Sequence, residues 1–206
     1  MTERIDFGTL SIAYDDRVLE PRDWTVAQSA WAVEIAVDAP GGAMLELCSG
    51  AGHIGLLAAV RSGRRLVCVD ANPVACDYAR ANALAAGIAD RVEVRGGRLE
   101  TALDDDELFP LVVADPPWVP RDLTWHVPED PVSAIDGGAD GLDIARACLD
   151  VIAAHLAPAG AAVLQLGTAA QAETLAREEW FTSGRLVQVE VRHHERGVLV
   201  RIDRPA

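Results

Sequence analysis

Lysine is absent from this 206-residue chain, and all 18 basic positions are arginine. Alanine is abundant, so the missing lysine reads as a genome-composition bias with no functional meaning. No apolar run approaches the ~20 residues that cross a bilayer. No dense arginine cluster is present either, and the net charge is −14. An acidic surface repels a phosphate backbone, so a nucleic-acid partner is disfavoured. The four cysteines, Cys48, Cys68, Cys76 and Cys148, lack metal-ligand spacing. Cys48 and Cys68 fall in predicted strands and read as small buried hydrophobes, with no metal expected. Met1 to Asp6 is polar and acidic, unlike a signal peptide. Together these features give a reduced, cytoplasmic setting as the expectation.

Half of the residues are hydrophobic, enough for one domain with a real core. Leu10–Tyr14 alternates and predicts a short strand or hairpin. Thr25 to Val37 has helical spacing, with Thr25 as its cap. Residues 1–40 form an N-terminal hairpin and helix packing on the core. From 41 to 206 strand and helix alternate. Strands are predicted at Ala43–Cys48, Leu66–Asp70, Val92–Arg95, Leu111–Asp115, Ala161–Leu166, Leu186–Val191 and Val198–Ile202. Helices are predicted at His53–Arg61, Pro73–Ala86, Leu142–His155 and Ala170–Trp180. The pattern specifies an α/β fold, a doubly wound, mostly parallel seven-stranded sheet. Its last two strands form an antiparallel hairpin. Trp118 to Asp140 is the longest irregular stretch, the kind of loop that often carries function.

Two segments carry chemistry. Leu111–Ala114 is an apolar strand that delivers Asp115, Pro116, Pro117 and Trp118 at its carboxyl end. The prolines fix the turn and donate no hydrogen bonds. Asp115 and the Pro116 carbonyl can accept the two protons of a planar –NH2 group while Trp118 stacks on its plane. Upstream, Ser49, Gly50, Ala51 and Gly52 follow a strand and open a helix, so backbone approaches a ligand closely. Asp70 ends the next strand, 24 residues after Glu46, where an acid accepts ribose hydroxyls. Gly50-x-Gly52-x-x-Gly55 also matches a dinucleotide fingerprint, which keeps a dehydrogenase as the rival. Glu46 ahead of the loop and Asp-Pro-Pro-Trp after the fourth strand weigh against it.

Asp115-Pro116-Pro117-Trp118 resembles the Asn/Asp-Pro-Pro-aromatic signature of amino-group methyltransferases that use S-adenosylmethionine. Leu45–Gly55 resembles their glycine loop and Val67–Pro73 their second-strand acidic end. Ser133–Asp143 and Val18–Thr25 are similar to segments of the release-factor glutamine methyltransferases. The likeness keeps the family's order from about Leu10 to Leu166, and ordered motifs outweigh any single one. The resemblance implies a Rossmann-like fold and S-adenosylmethionine as cofactor. It places the cofactor among Thr25, Glu46, Cys48, Ser49, Gly50, Gly52, Asp70, Ala71, Asn72, Arg98 and Asp115. Glu46 would help fix its amino-acid end, and Pro21, Arg22 and Thr25 would close over that end. Pro21, Arg22, Trp118, Gly137 and Gly138 would meet the substrate. Trp125 and His126 fall where a pocket mouth could be.

Three departures matter. Cys48 replaces the first loop glycine, which would narrow the pocket. Arg98 stands near the usual adenine-binding acid and has no acceptor to offer; a solvated charge is the competing reading. Asp115 replaces the glutamine enzymes' Asn. The implied activity is N-methylation of a protein glutamine side chain. The alternatives are the same chemistry on a small metabolite or nucleobase, or a cofactor-binding module without turnover. The family's extra N-terminal helical domain has no counterpart, as in short relatives that act with a small partner subunit. Either such a partner supplies substrate binding or the acceptor is a small molecule.

Overall fold

The computed structural model describes residues 1–205. A hairpin, β1 (Glu3–Phe7) and β2 (Leu10–Tyr14), leads through a short turn of 3-10 helix into α1 (Val26–Ala36). The Rossmann-like series follows: β3 (Met44–Leu47), α2 (His53–Ser62), β4 (Leu66–Asp70), α3 (Pro73–Ala85), β5 (Val92–Gly96) and β6 (Phe109–Ala114). Next come α4 (Val132–Ile135), α5 (Asp143–His155), β7 (Leu156–Leu166), α6 (Ala169–Leu175), α7 (Glu179–Thr182), β8 (Val187–His194) and β9 (Gly197–Asp203).

Seven strands form one sheet in the order β5-β4-β3-β6-β7-β9-β8. Those from β3 to β7 pair in parallel, and β9 runs antiparallel between β7 and β8. Alternation along each strand divides the core into two faces. Met44, Cys68, Leu111 and Val113 pack with α1, α2, α3 and the hairpin. Leu45, Leu47, Val69, Val112 and Ala114 pack with α5 and α6. Phe7 and Ile12 are buried in the first of these clusters, so the N-terminal hairpin shares the core. Because β3 lies between β4 and β6, the sheet reverses winding there. The carboxyl ends flanking such a point are where doubly wound folds bind ligands.

The expected order of elements holds, with four differences, the first being the short α4 inside the stretch expected to be irregular. The stretch predicted as one helix from Ala170 to Trp180 breaks into α6 and α7. Tertiary bonds redirect it: the Arg146 guanidinium donates to the Glu178 carboxylate, and Trp180 Nε1 donates to Asp150. β7 begins five residues earlier than expected, through a left-handed Ala159. Thr25 occupies the cap position of α1 but its side chain caps nothing. Its hydroxyl instead donates back to the Arg22 carbonyl at 2.7 Å, closing the preceding turn.

Candidate active site

Apolar β6 is buried along its length and ends at Ala114. Gln28 of α1, fully buried, donates from Nε2 to the carbonyls of Ala114 and Val163, tying this strand end to β7. Asp115 then leaves the sheet into a cavity of about 380 Å³. Pro116, Pro117 and Trp118 line the same cavity, with Arg22, Thr25 and His53 on its other walls. Burial alone pushes the Asp115 carboxyl up to about 7. Among the described residues it makes no hydrogen bond, and none reaches the Pro116 carbonyl. The strand end therefore presents two free acceptors beside an indole.

The Pro-Pro-Trp turn is braced from behind. Trp118 lies against Gly167, where a Cβ would come within 2.3 Å of the ring. Gln171 donates from Nε2 to the Trp118 carbonyl at 3.0 Å and accepts from the Gly167 and Thr168 amides through Oε1. Gly137 and Gly138, expected at the substrate, belong to this brace and do not line the cavity. The Gly137 amide donates to Val119, the Arg121 amide donates to Gly138, and the Gly137 backbone packs on the Pro117 carbonyl.

On the cofactor side, the loop from Cys48 to Gly52 turns through three left-handed residues, Cys48 (φ 56°), Gly50 (φ 51°) and Gly52 (φ 79°). Nothing lies within 4 Å of the place a Gly50 Cβ would take, so the loop is open above that residue. Asp70 receives the Gly50 amide at 2.7 Å and the Asn72 amide at 2.8 Å. Its carboxyl is raised by desolvation, against those two bonds. Asn72 caps α3 through the Val74 amide, and Ala71 is exposed. Ser49 is 2% exposed and its hydroxyl has no partner among the described residues. An open glycine, an acid beside the loop and an orphaned hydroxyl fit a nucleoside ligand.

Several expected site residues do not line the cavity. Glu46 is buried beneath the loop, where Oε1 receives the Gly55 amide at 2.8 Å and Oε2 the Cys68 thiol. Desolvation raises it to about 8, above the lowering effect of those bonds. A Gly55 Cβ would sit 2.3 Å from Glu46 Oε2, so the glycine makes room for the carboxylate. Cys48 turns its thiol towards Cys148 of α5, at 3.9 Å, and not into the cavity. Arg98 is an exposed charge paired with Glu100 and does not line the cavity, in keeping with the reading of it as a solvated charge. Pro21 is buried outside the cavity lining, whereas Arg22 bridges Glu20 and Asp130 across it. Trp125 and His126 are exposed and stack on each other, and neither lines the cavity, although the adjoining Val127 does.

Sequence reasoning missed Gln28, Gln171 and His53. The Thr168-x-x-Gln171 spacing is a capping-box signal that the structure confirms. A glutamine on the buried face of a helix is the comparable signal for Gln28.

Sequence likeness places the chain among the class I S-adenosylmethionine-dependent methyltransferases, in the group whose fourth parallel strand ends in Asn/Asp-Pro-Pro-aromatic. Residues 27–127 match the family described as conserved hypothetical protein 95. The chain is 32% identical, over 91% of its length, to a release factor glutamine methyltransferase of Mycolicibacterium smegmatis, and spans 66% of that relative. It is 33% identical to a ribosomal protein uL3 glutamine methyltransferase of Bradyrhizobium diazoefficiens, over 60% of this chain and 40% of that one. A methyltransferase from Pyrococcus furiosus shares the fold, with a TM-score of 0.71 and 16% identity over 97% of this chain and 91% of that one. Among the described residues, no helix is long and apolar enough to cross a membrane.

Proposed function

We propose that this protein transfers a methyl group from S-adenosylmethionine to the planar nitrogen of a protein glutamine side chain. The observation that carries this is the pair of free acceptors, the Asp115 carboxylate and the Pro116 carbonyl, set beside Trp118 in one cavity. The names of the two glutamine-methylating relatives support the acceptor class.

An amide nitrogen is a poor nucleophile because its lone pair is delocalised. Acceptors that take both N–H groups favour a pyramidal nitrogen and hold it for in-line attack, at about 3–3.5 Å from the carbon it reaches. Each charge-assisted bond of this kind contributes roughly 1.5–3 kcal/mol. Ser49, Gly50 and Asp70 would hold the cofactor's nucleoside, and the bound cofactor supplies an electrophilic methyl group. Methylation leaves the nitrogen with a proton to lose. Asp115, with its carboxyl raised to about 7, is poised to accept it, which an Asn at that position could not do.

Incubation with isotope-labelled S-adenosylmethionine and, separately, release-factor peptide, ribosomal protein, RNA and metabolite extract tests the reading. Label on glutamine of a polypeptide, lost in Asp115→Ala, is the expected result. Label confined to RNA or to a small molecule would refute the acceptor, and no label anywhere would refute the reaction.

A further inference from the structure

Buried polar atoms nearly always have a partner, and an exception needs a reason. His53 is such an exception. It is the first residue of α2, directly after left-handed Gly52, and is 7% exposed. Neither ring nitrogen makes a hydrogen bond among the described residues, and Nδ1 is fully buried. The ring stands edge-on to Phe7, with centroids 4.9 Å apart. It also lines the cavity that holds Thr25 and Asp115. An imidazole kept only for packing would be served as well by leucine, and no carbonyl or hydroxyl has been supplied for it.

The order of the sheet indicates what meets this ring. β4, β3 and β6 are neighbours. Asp70 ends β4, the glycine loop follows β3, and Asp115 follows β6. A ligand with its ribose on Asp70 and its reactive atom towards Asp115 crosses the loop after β3. Its remaining end then falls at the start of α2, beside Thr25. Resting on the methyltransferase reading, we propose that His53 binds the amino-acid end of the cofactor. With Nδ1 sealed, Nε2 is the nitrogen left to the cavity, and as the protonated nitrogen of a neutral imidazole it donates to the α-carboxylate. Burial holds His53 down to about 4, so the ring is neutral at working pH. Ser49, four residues earlier with its own orphaned hydroxyl, stands on the nucleoside side of the same loop.

Calorimetry with two ligands isolates this contact. S-adenosylhomocysteine carries the amino-acid end, and 5′-methylthioadenosine is the same nucleoside thioether without it. His53→Leu is expected to weaken S-adenosylhomocysteine roughly ten- to a hundredfold, the loss of one charge-assisted bond. Binding of 5′-methylthioadenosine should stay within about twofold. His53→Gln, which keeps an N–H donor, should recover most of the loss. In the wild-type protein, the His53 ring-nitrogen resonances should move with S-adenosylhomocysteine and stay in place with methylthioadenosine, a result that depends on no variant folding. Equal weakening of both ligands, or unchanged affinity for both, would overturn the role of His53 alone. Wild-type protein that binds neither ligand would bring down the methyltransferase reading and this inference with it.

Discussion

Asp115→Asn keeps the shape of the side chain and removes its titration. Burial carries the Asp115 carboxyl from 3.8 to about 7. Between those values the native chain holds a proton that the unfolded chain has released. The raised carboxyl therefore costs nothing below about pH 4, costs more as pH rises, and reaches its full cost above about pH 7. At 1.36 kcal/mol per pKa unit the ceiling is about 4 kcal/mol. Asp115 retains some solvent contact, so a gain of about 1–3 kcal/mol is expected from the substitution at about pH 8, and almost none at about pH 4. Glu46, raised to about 8, titrates in both proteins and largely cancels from the difference. Urea denaturation of both proteins at the two pH values measures the gain. Methyl transfer gives a second reading: the wild-type rate should climb through about pH 7, and Asp115→Asn should flatten that climb. A stability difference of equal size at both pH values would refute the reasoning, as would a wild-type protein that gains stability relative to the variant as pH rises.

Gly55→Ala places a methyl 2.3 Å from Glu46 Oε2 in a sealed space, and should cost about 2–4 kcal/mol by urea denaturation. Cys48→Gly frees a residue held at φ 56°, a strain of about 1 kcal/mol. It should bind S-adenosylhomocysteine at least as tightly as wild type by calorimetry, with no loss of melting temperature. Asp70→Ala should weaken S-adenosylhomocysteine and methylthioadenosine alike by at least roughly tenfold, because both carry the ribose, in contrast to the selective loss expected at His53.

The architecture was legible because its signal is local. Four apolar residues before Asp115 suit a strand covered on both faces, and the Leu66–Asp70 and Leu10–Tyr14 strands fall where they were expected. Asp115 to Trp118 and Arg22 reach one cavity, as expected of them. What differed depended on partners that the sequence does not identify, distant for Cys48 and near for Arg98. Cys48 was expected to narrow the pocket, and only the nearness of Cys148, 100 residues away, explains why its thiol turns aside. Arg98 stood at a plausible place in the chain, yet Glu100 two residues on satisfies it in solvent. Gly137 and Gly138 are near the site but behind it, because their amides and carbonyls complete the turn that holds Trp118. His53 escaped notice because a histidine opening a helix has no pattern until its missing partners can be seen.

The three acids of the site are better understood together than singly. Asp70, Glu46 and Asp115 lie at the carboxyl ends of the adjacent strands β4, β3 and β6. Each is raised chiefly by desolvation, and Asp70 and Asp115 also raise Glu46 through their charge. Arginine pairs with acids across the rest of the surface, yet among the described residues none of these three has an arginine partner. Among those residues only backbone amides and a thiol reach them by hydrogen bond, and Asp115 has not even those. Once ionised, these carboxylates give the site a negative potential that no arginine among the described residues offsets. A cationic ligand offsets that cost, whereas a neutral one does not. S-adenosylmethionine carries a sulfonium charge, which its thioether product has lost. Above about pH 7, where Asp115 ionises, these carboxylates should therefore favour the sulfonium donor over its thioether product, and calorimetry that finds the same affinity ratio of the two ligands at about pH 6 and about pH 9 would refute this.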